Sequence, residues 1–383
     1  VMDPRTGEVS SFLRPARLRA AVAELLGKPV AGEENIAGSF SLVSDKLIEF
    51  VHDNRLLRYS LETETASFVS PLAAEGDDPL AVNIVDESFP QVWPDQRERL
   101  SPDRRLVLSF DNEALFLRGA DRQVTIIAPN GREGVDWMLN DSHWSPDSRH
   151  VVVAQADTST VEKAPVVNWK GMTDPIDYLP YPTVLGELMR FHALIYNVET
   201  SMVQTIEFPP EHYIKPLQWL PDAAAFAFAA LSRDTQTIQI LLWSAQTGEL
   251  QTVLTEESET YIIYPPNLMF RLGVSAQSLF LFLDDSEHFL WISERSGFRQ
   301  VYLYHVQEGL VRALTDHPFD VMTVDGFNKE TGQVIYTAQS NPDRPHDIHV
   351  HTVNWQGGDS RQLSDVDGQH AVQVTPSGQF YVD

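Results

Sequence analysis

The chain has 383 residues, 43% hydrophobic and 10% aromatic, which is enough to bury a large core and more than one compact domain usually holds. Its formal net charge of −26 repels phosphate backbones and anionic lipid surfaces, so nucleic acid and membrane contacts are not expected. With no cysteine there are no disulfides, thiolate metal sites or cysteine nucleophile, while the compartment stays open.

No apolar run approaches the roughly 18 residues of a membrane span, and no leader-like pattern opens the sequence. Residues 1–13 read as a strand, a turn at Gly7 and a strand, without partner strands before them. Ala16 to Leu26 carries the one clear helical period, with Leu18, Val22, Leu25 and Leu26 on a stripe and Gly27 as its stop. Strand–turn–strand patterns then recur at 57–65, 115–124, 194–203 and 241–250. The strongest lies at 290–304, where two runs rich in β-branched and aromatic residues flank Glu294-Arg295-Ser296-Gly297. A second tight turn at Glu308-Gly309 extends it into a three-strand meander, and a last pattern, at 348–351, precedes Gly357-Gly358. From Gly7 to Gly357 the repeats average about 58 residues, longer than ordinary propeller blades and suited to blades with insertions.

A second signal precedes most of the repeats: an apolar or aromatic residue, then Ser-Pro-Asp or a relative, then an apolar strand. It occurs at Leu100-Ser101-Pro102-Asp103, Trp144-Ser145-Pro146-Asp147, Trp219-Leu220-Pro221-Asp222 and Val374-Thr375-Pro376-Ser377. Proline presets the turn and cannot join a central strand, so each copy separates two strands. The longest interval, 158–190, has a proline-rich middle (Pro165, Pro175, Pro180, Pro182) and reads as an excursion from a blade that is suited to contacts. The last repeat, beginning near His370, stops after its second strand.

Three segments resemble the N-terminal propeller of the dipeptidyl peptidase IV branch of the prolyl oligopeptidase family, a serine peptidase family. These are the 291–302 run, the Trp144-Ser145-Pro146-Asp147 turn after Asp136-Trp137, and Pro180-Tyr181-Pro182 leading into 194–198. The resemblance implies an all-β fold, a β-propeller of about eight four-stranded blades, with blades cut at both chain ends; seven is the alternative if the two half blades close one. Residues 1–383 are then a single propeller domain, and an α/β-hydrolase catalytic domain that removes dipeptides is expected beyond Asp383. The family's propeller carries a glutamate pair, shortly after an Asp-Trp like Asp136-Trp137, that grips the substrate's amino terminus. Here the run 136–144 is too short for that insert, and Asn140 and Asp141 stand nearest to the pair's place. Asp141 is accordingly a candidate substrate-binding residue with Asn140 beside it, the simpler alternative being a turn residue capping local amides.

Other chemistry is sparse. No Gly-x-Ser-x-Gly run exists; Gly273-Val274-Ser275-Ala276-Gln277 lacks the second glycine, so no catalytic residue is assigned in this chain. His349 and His351 point to one face of a strand near His346, but no third ligand of convincing spacing is visible, so structural histidines and no metal are expected. Asp365-Val366-Asp367-Gly368 starts like a calcium loop without its later glutamate and reads as an acidic turn. Acid pairs at Glu33-Glu34, Asp77-Asp78, Glu256-Glu257 and Asp284-Asp285 are placed in turns, where they contribute solubility. Tryptophans 93, 144, 219 and 291 recur beside strand ends and are expected to pack between blades.

The function expected is that of a non-catalytic propeller of a dipeptidyl peptidase IV-like serine exopeptidase, gating access and contributing to binding of the peptide N-terminus. The alternative is a free-standing propeller that binds a protein or peptide without catalysis. The implied partners are a peptide substrate and the C-terminal hydrolase domain, with a homodimer compatible and no cofactor. The resemblance favours a periplasmic or secreted location, with the cytoplasm as the alternative.

Overall fold

The computed structural model describes residues 13–30, 40–52, 55–69, 100–110, 114–119, 124–129, 134–167, 176–183, 185–262 and 279–383. Helix α1 (Pro15–Leu26) starts with proline in its first turn and ends at Gly27, whose φ of 64° permits the left-handed cap. Leu18, Ala21 and Val22 bury its apolar stripe against Ile48, Phe50, Leu57 and Tyr59. Those partners belong to the first sheet, β1 (Phe40–Ser44), β2 (Leu47–His52), β3 (Arg55–Ser60) and β4 (Thr65–Phe68). There Glu49 faces Arg58 across the strands, and the buried carboxylate accepts from Nε at 2.9 Å and Nη2 at 2.6 Å.

The second sheet holds β5 (Leu106–Phe110), β6 (Ala114–Gly119) and β7 (Val124–Pro129), and a bridge from Leu100 to Val107 marks where a fourth strand would join. The third is made of β8 (Val135–Trp144), β9 (His150–Asp157), β12 (Arg190–Asn197) and β13 (Val203–Glu207). The hairpin β10 (Lys163–Val167) and β11 (Ile176–Pro180) leaves it between β9 and β12, at the expected proline-rich excursion. Next come β14 (His212–Trp219), β15 (Ala225–Ser232), β16 (Thr237–Ser244) and β17 (Leu250–Glu257), so that Glu256-Glu257 ends a strand and does not lie in a turn. The fifth sheet is β18 (Phe280–Phe282), β19 (His288–Ser293), β20 (Gln300–His305) and β21 (Gly309–Ala313), the meander read from sequence. The sixth is β22 (Val321–Asn328), β23 (Gln333–Ala338), β24 (His349–Asn354) and β25 (Arg361–Gln362), and a final pair follows, β26 (Gln373–Val374) and β27 (Tyr381–Val382).

In every sheet consecutive strands pair antiparallel, so the fold is an all-β propeller. Six blade-like sheets are present among the described residues, five with four strands and one with three, instead of the eight or seven implied by resemblance. The expected first hairpin at 1–13 lies almost wholly outside the described residues, and β26–β27 supplies only two strands. The chain divides into two compact units, Val1–Gln96 with Pro265–Asp383, and Arg97–Tyr264. No described helix is long and apolar enough to cross a membrane.

The core is the packing of one sheet on the next. Val152, Ala193 and Ile195 of the third sheet meet Trp219, Phe226, Phe228, Leu241 and Trp243 of the fourth. Trp144, Trp219 and Trp291 are buried, and Trp219 Nε1 donates to the His143 carbonyl of the neighbouring sheet at 3.1 Å, as expected of inter-blade tryptophans. Trp93, Glu33-Glu34 and Asp77-Asp78 lie outside the described residues.

The Ser-Pro-Asp motif is a self-contained turn. Ser145 Oγ donates to Asp147 Oδ1 at 2.6 Å and accepts from the His150 amide at 2.8 Å, while the Ser148 amide donates to the Ser145 carbonyl. Ser101 and Asp103 repeat the arrangement at 2.7 Å, with the Leu106 amide on Ser101 Oγ at 3.0 Å. The fourth residue takes a positive φ in each copy: Arg104, Ser148, Ala223 and Gly378. Leu283 to Ser286 is a further copy without proline. Asp285 there accepts from the Glu287 and His288 amides at 2.9 Å, so Asp284-Asp285 is a structural turn and not merely a soluble one.

Candidate functional site

The expected anchor region falls on β8, the edge strand of the third sheet. Asp136, Trp137 and Met138 pair with Ala156, Gln155 and Ala154, and Ser142, His143 and Trp144 with Val153, Val152 and Val151. Leu139, Asn140 and Asp141 therefore form an insertion between Met138 and Ser142 that has no counterpart on β9. A bulge of this kind takes residues out of the ladder and re-aims them, and bulges concentrate beside functional sites. Asn140 and Asp141 both lie in that bulge within β8.

Two groups that sequence reasoning missed lie close to the end of the bulge. His143 has its pKa pushed down to about 3, first by burial and then by the positive charge of Lys215 on β14. Its ring lies 5.2 Å from that of Phe226, so the imidazole is neutral and packed. Lys215 is 72 positions away in sequence, and only the packing of β14 on β8 brings the two together. The Gly273–Gln277 stretch lies outside the described residues.

The histidine cluster resolves into individual partners. His349 Nδ1 lies 3.2 Å from Ser364 Oγ, and His351 Nε2 lies 3.0 Å from Ser340 Oγ. His351 stacks on Tyr336 at 5.3 Å, and burial, followed by His317 and His349, lowers its pKa to about 4. Both rings are buried on β24, whereas His346 is exposed in the loop before it. Asp367 sits in the exposed turn expected of the 365–368 run, but its carboxylate approaches His349 and Asp347, a neighbour that sequence spacing did not single out.

This arrangement can be set beside known proteins. The model of the dipeptidyl peptidase IV (DPP IV) N-terminal region matches residues 77–383. The chain belongs to that family. A crystal structure of Porphyromonas gingivalis dipeptidyl peptidase 4 superposes with a TM-score of 0.63 at 16% identity, covering 90% of this chain and 46% of that one. A protein from Bacteroides ovatus described as a dipeptidyl aminopeptidase IV superposes with a TM-score of 0.66 at 17% identity, covering 100% of this chain and 53% of its own. The DPP IV-type propeller thus spans about half the length of the solved structures it matches, and at these identities the superpositions establish the fold.

Proposed function

We propose that this propeller serves a dipeptidyl peptidase IV-like serine exopeptidase without breaking bonds itself. It restricts access to an α/β-hydrolase domain that follows Asp383, and it helps to hold the free amino terminus of the peptide. The observation that carries the proposal is the β8 bulge, which sets Asn140 and Asp141 outside the ladder shortly after Asp136-Trp137, in a chain of this family. A carboxylate that meets an ammonium group away from bulk water measures a peptide from its end, because a chain without that charge leaves the carboxylate unpaired.

The finer architecture belongs to the same proposal. The pair β26–β27 is the inner half of a further blade: β26 lies against β22 and β1, and Ser377 Oγ donates to the Asp45 carboxylate at 2.7 and 2.8 Å. Six sheets and this pair give seven positions, the alternative count that the resemblance implies. Residues 1–383 act as one propeller domain in a periplasmic or secreted enzyme. A homodimer would use the β10–β11 hairpin, where Tyr178, Leu179 and Tyr181 are exposed.

Intact mass tests the first part, since the native product should be close to twice this length. In that full-length enzyme, Asp141→Ala should raise KM for a glycyl-prolyl chromogenic substrate about tenfold with little change in kcat, the scale of one charge-assisted contact. An N-acetylated analogue should be a poor substrate for both proteins. An unchanged KM removes Asp141 from the site, and equal cleavage of the acetylated peptide removes amino-terminal recognition altogether.

A further inference from the structure

The loop between β23 and β24 and the loop between β25 and β26 come together around three groups of metal-ligating type. Asp347, His349 and Asp367 each present one donor atom, and these atoms lie within 4.8 Å of one another. Asp347 and His349 are buried, at 8% and 3% exposure, while Asp367 is exposed. The loops are already joined by a parallel bridge from Ile348 to Gln369 and by hydrogen bonds from the Ile348 amide to the Gly368 carbonyl and from the His370 amide to the Ile348 carbonyl.

We propose that Asp347, His349 and Asp367 form a binding site for a divalent transition-metal ion of the zinc class. Two carboxylates and an imidazole so close together call for positive charge. Arg344 supplies it, donating from Nη1 to Asp367 Oδ2 at 2.9 Å and holding Nε 2.8 Å from Asp347 Oδ2. The second contact is an ion pair without hydrogen-bond geometry, so Asp347 Oδ2, sealed from solvent, accepts no hydrogen bond. A buried carboxylate oxygen left in that state is under-coordinated and is a ready ligand. The Arg344 side chain is 54% exposed and can leave for water, where a guanidinium is well solvated.

The donor set selects the ion. Calcium and magnesium take oxygen ligands, whereas an imidazole beside two carboxylates suits zinc, which binds such sites more tightly than manganese. Three protein ligands leave a fourth position for water. Ligand bonds of about 2.0–2.2 Å require the donors to draw in by roughly an ångström, which Asp367, in an exposed turn, can accommodate. Ser364 Oγ at 3.2 Å from His349 Nδ1 orients the ring, in the place where a ligating histidine more often has a carboxylate, a carbonyl or water. His370 is committed elsewhere, its Nε2 to the Val366 carbonyl at 2.7 Å and its Nδ1 to Asp383, so it orients the loop without ligating.

The test uses the full-length chain, stripped with a chelator and titrated with Zn2+ alone by calorimetry, with Ca2+ as the control. One equivalent of zinc should bind, Co2+ in its place should give a visible d–d spectrum, and calcium should not compete. Asp367→Asn, in an exposed turn and safe for folding, should weaken zinc binding at least tenfold, and Asp347→Asn at least as much. Arg344→Ala should tighten binding severalfold, because it removes the competing cation while leaving every ligand in place. No binding to the stripped chain or to Arg344→Ala overturns the proposal, as does zinc affinity that is the same with and without Asp367.

Discussion

Two sheets of the same four-strand pattern differ in how much polar surface they bury. In β14–β17, the second strand is buried along nearly its whole length, with Phe226 and Phe228 turned to the third sheet and alanines between them. In β22–β25 the interior is rich in polar groups: Thr323, Thr337, Asn328, His349, His351 and Thr352 are all buried. Thr323 and Thr337 share a hydroxyl contact, and Thr323 Oγ1 lies 2.8 Å from both oxygens of Asp325, whose carboxyl is pushed up to about 7 by burial against the hydrogen bond from Thr323. β22 is also bulged twice, around Met322 and Asp325. The blade pattern therefore fixes backbone pairing and leaves the interior free to vary, provided that each buried polar group finds a partner on the same or the next strand.

The largest effect that can break this contrast is a cavity in the apolar sheet. Phe228→Ala should destabilise the chain by about 3–5 kcal/mol, since a fully buried ring is lost from a packed interface. Thr337→Val, which keeps the volume and removes one hydroxyl from a short chain, should cost only about 1–2 kcal/mol. Urea unfolding of both variants measures the difference. Equal losses would mean that the polar interior is as rigidly specified as the apolar one.

The pH dependence of the polar sheet sharpens the comparison next. Asp325, raised from 3.8 to about 7, contributes stability that is complete below 3.8 and is lost as the pH rises through 7. His351, lowered from 6.5 to about 4, does the reverse, contributing stability that is present above 6.5 and lost as the pH falls through 4. Over the shared window the two oppose each other and the wild-type slope from this pair is small. Asp325→Asn leaves the histidine alone, so stability should rise with pH between about 4 and 6.5, by at most about 1.4 kcal/mol per unit. His351→Gln leaves the carboxyl alone, and stability should fall with pH across about 4 to 7. Denaturation midpoints at four pH values decide it, and parallel slopes for the two variants would break the pairing.

What the sequence carried in local form was legible. The 290–304 hairpin, Gly309, the α1 stripe with Gly27 and the tryptophans at sheet junctions all act through neighbours a few residues away or through burial, which hydropathy records. Pairings across sheets were not legible. His143 with Lys215 depends on how two sheets pack, and Asp367 with Asp347 on how two loops meet, and no spacing rule encodes either. The β8 bulge was half legible: the shortness of the run after Trp137 placed Asn140 and Asp141 near the family's anchor position, but only register with β9 set them outside the ladder. Asp285 stands in the turn expected of it, but its part in holding that turn was not legible, because this copy lacks the proline that made the others visible.

The smallest expected effects come from the turns. Ser145→Ala leaves the His150 amide without its acceptor in a buried turn, which should cost about 1–2 kcal/mol. In the last copy the aspartate position is taken by Ser377, which reaches instead to Asp45 in the turn between β1 and β2. Ser377→Ala should therefore cost less, about 1 kcal/mol or below, because both partners are only partly buried. Its informative readout is local: amide exchange at Val374 and Tyr381, the ends of the short pair β26–β27, should speed up while that of β23 is unchanged. If exchange is untouched, the contact to Asp45 does not hold the terminal half blade, and the pair stands on its packing through Tyr381 against Ile335, Val350 and Leu363 alone.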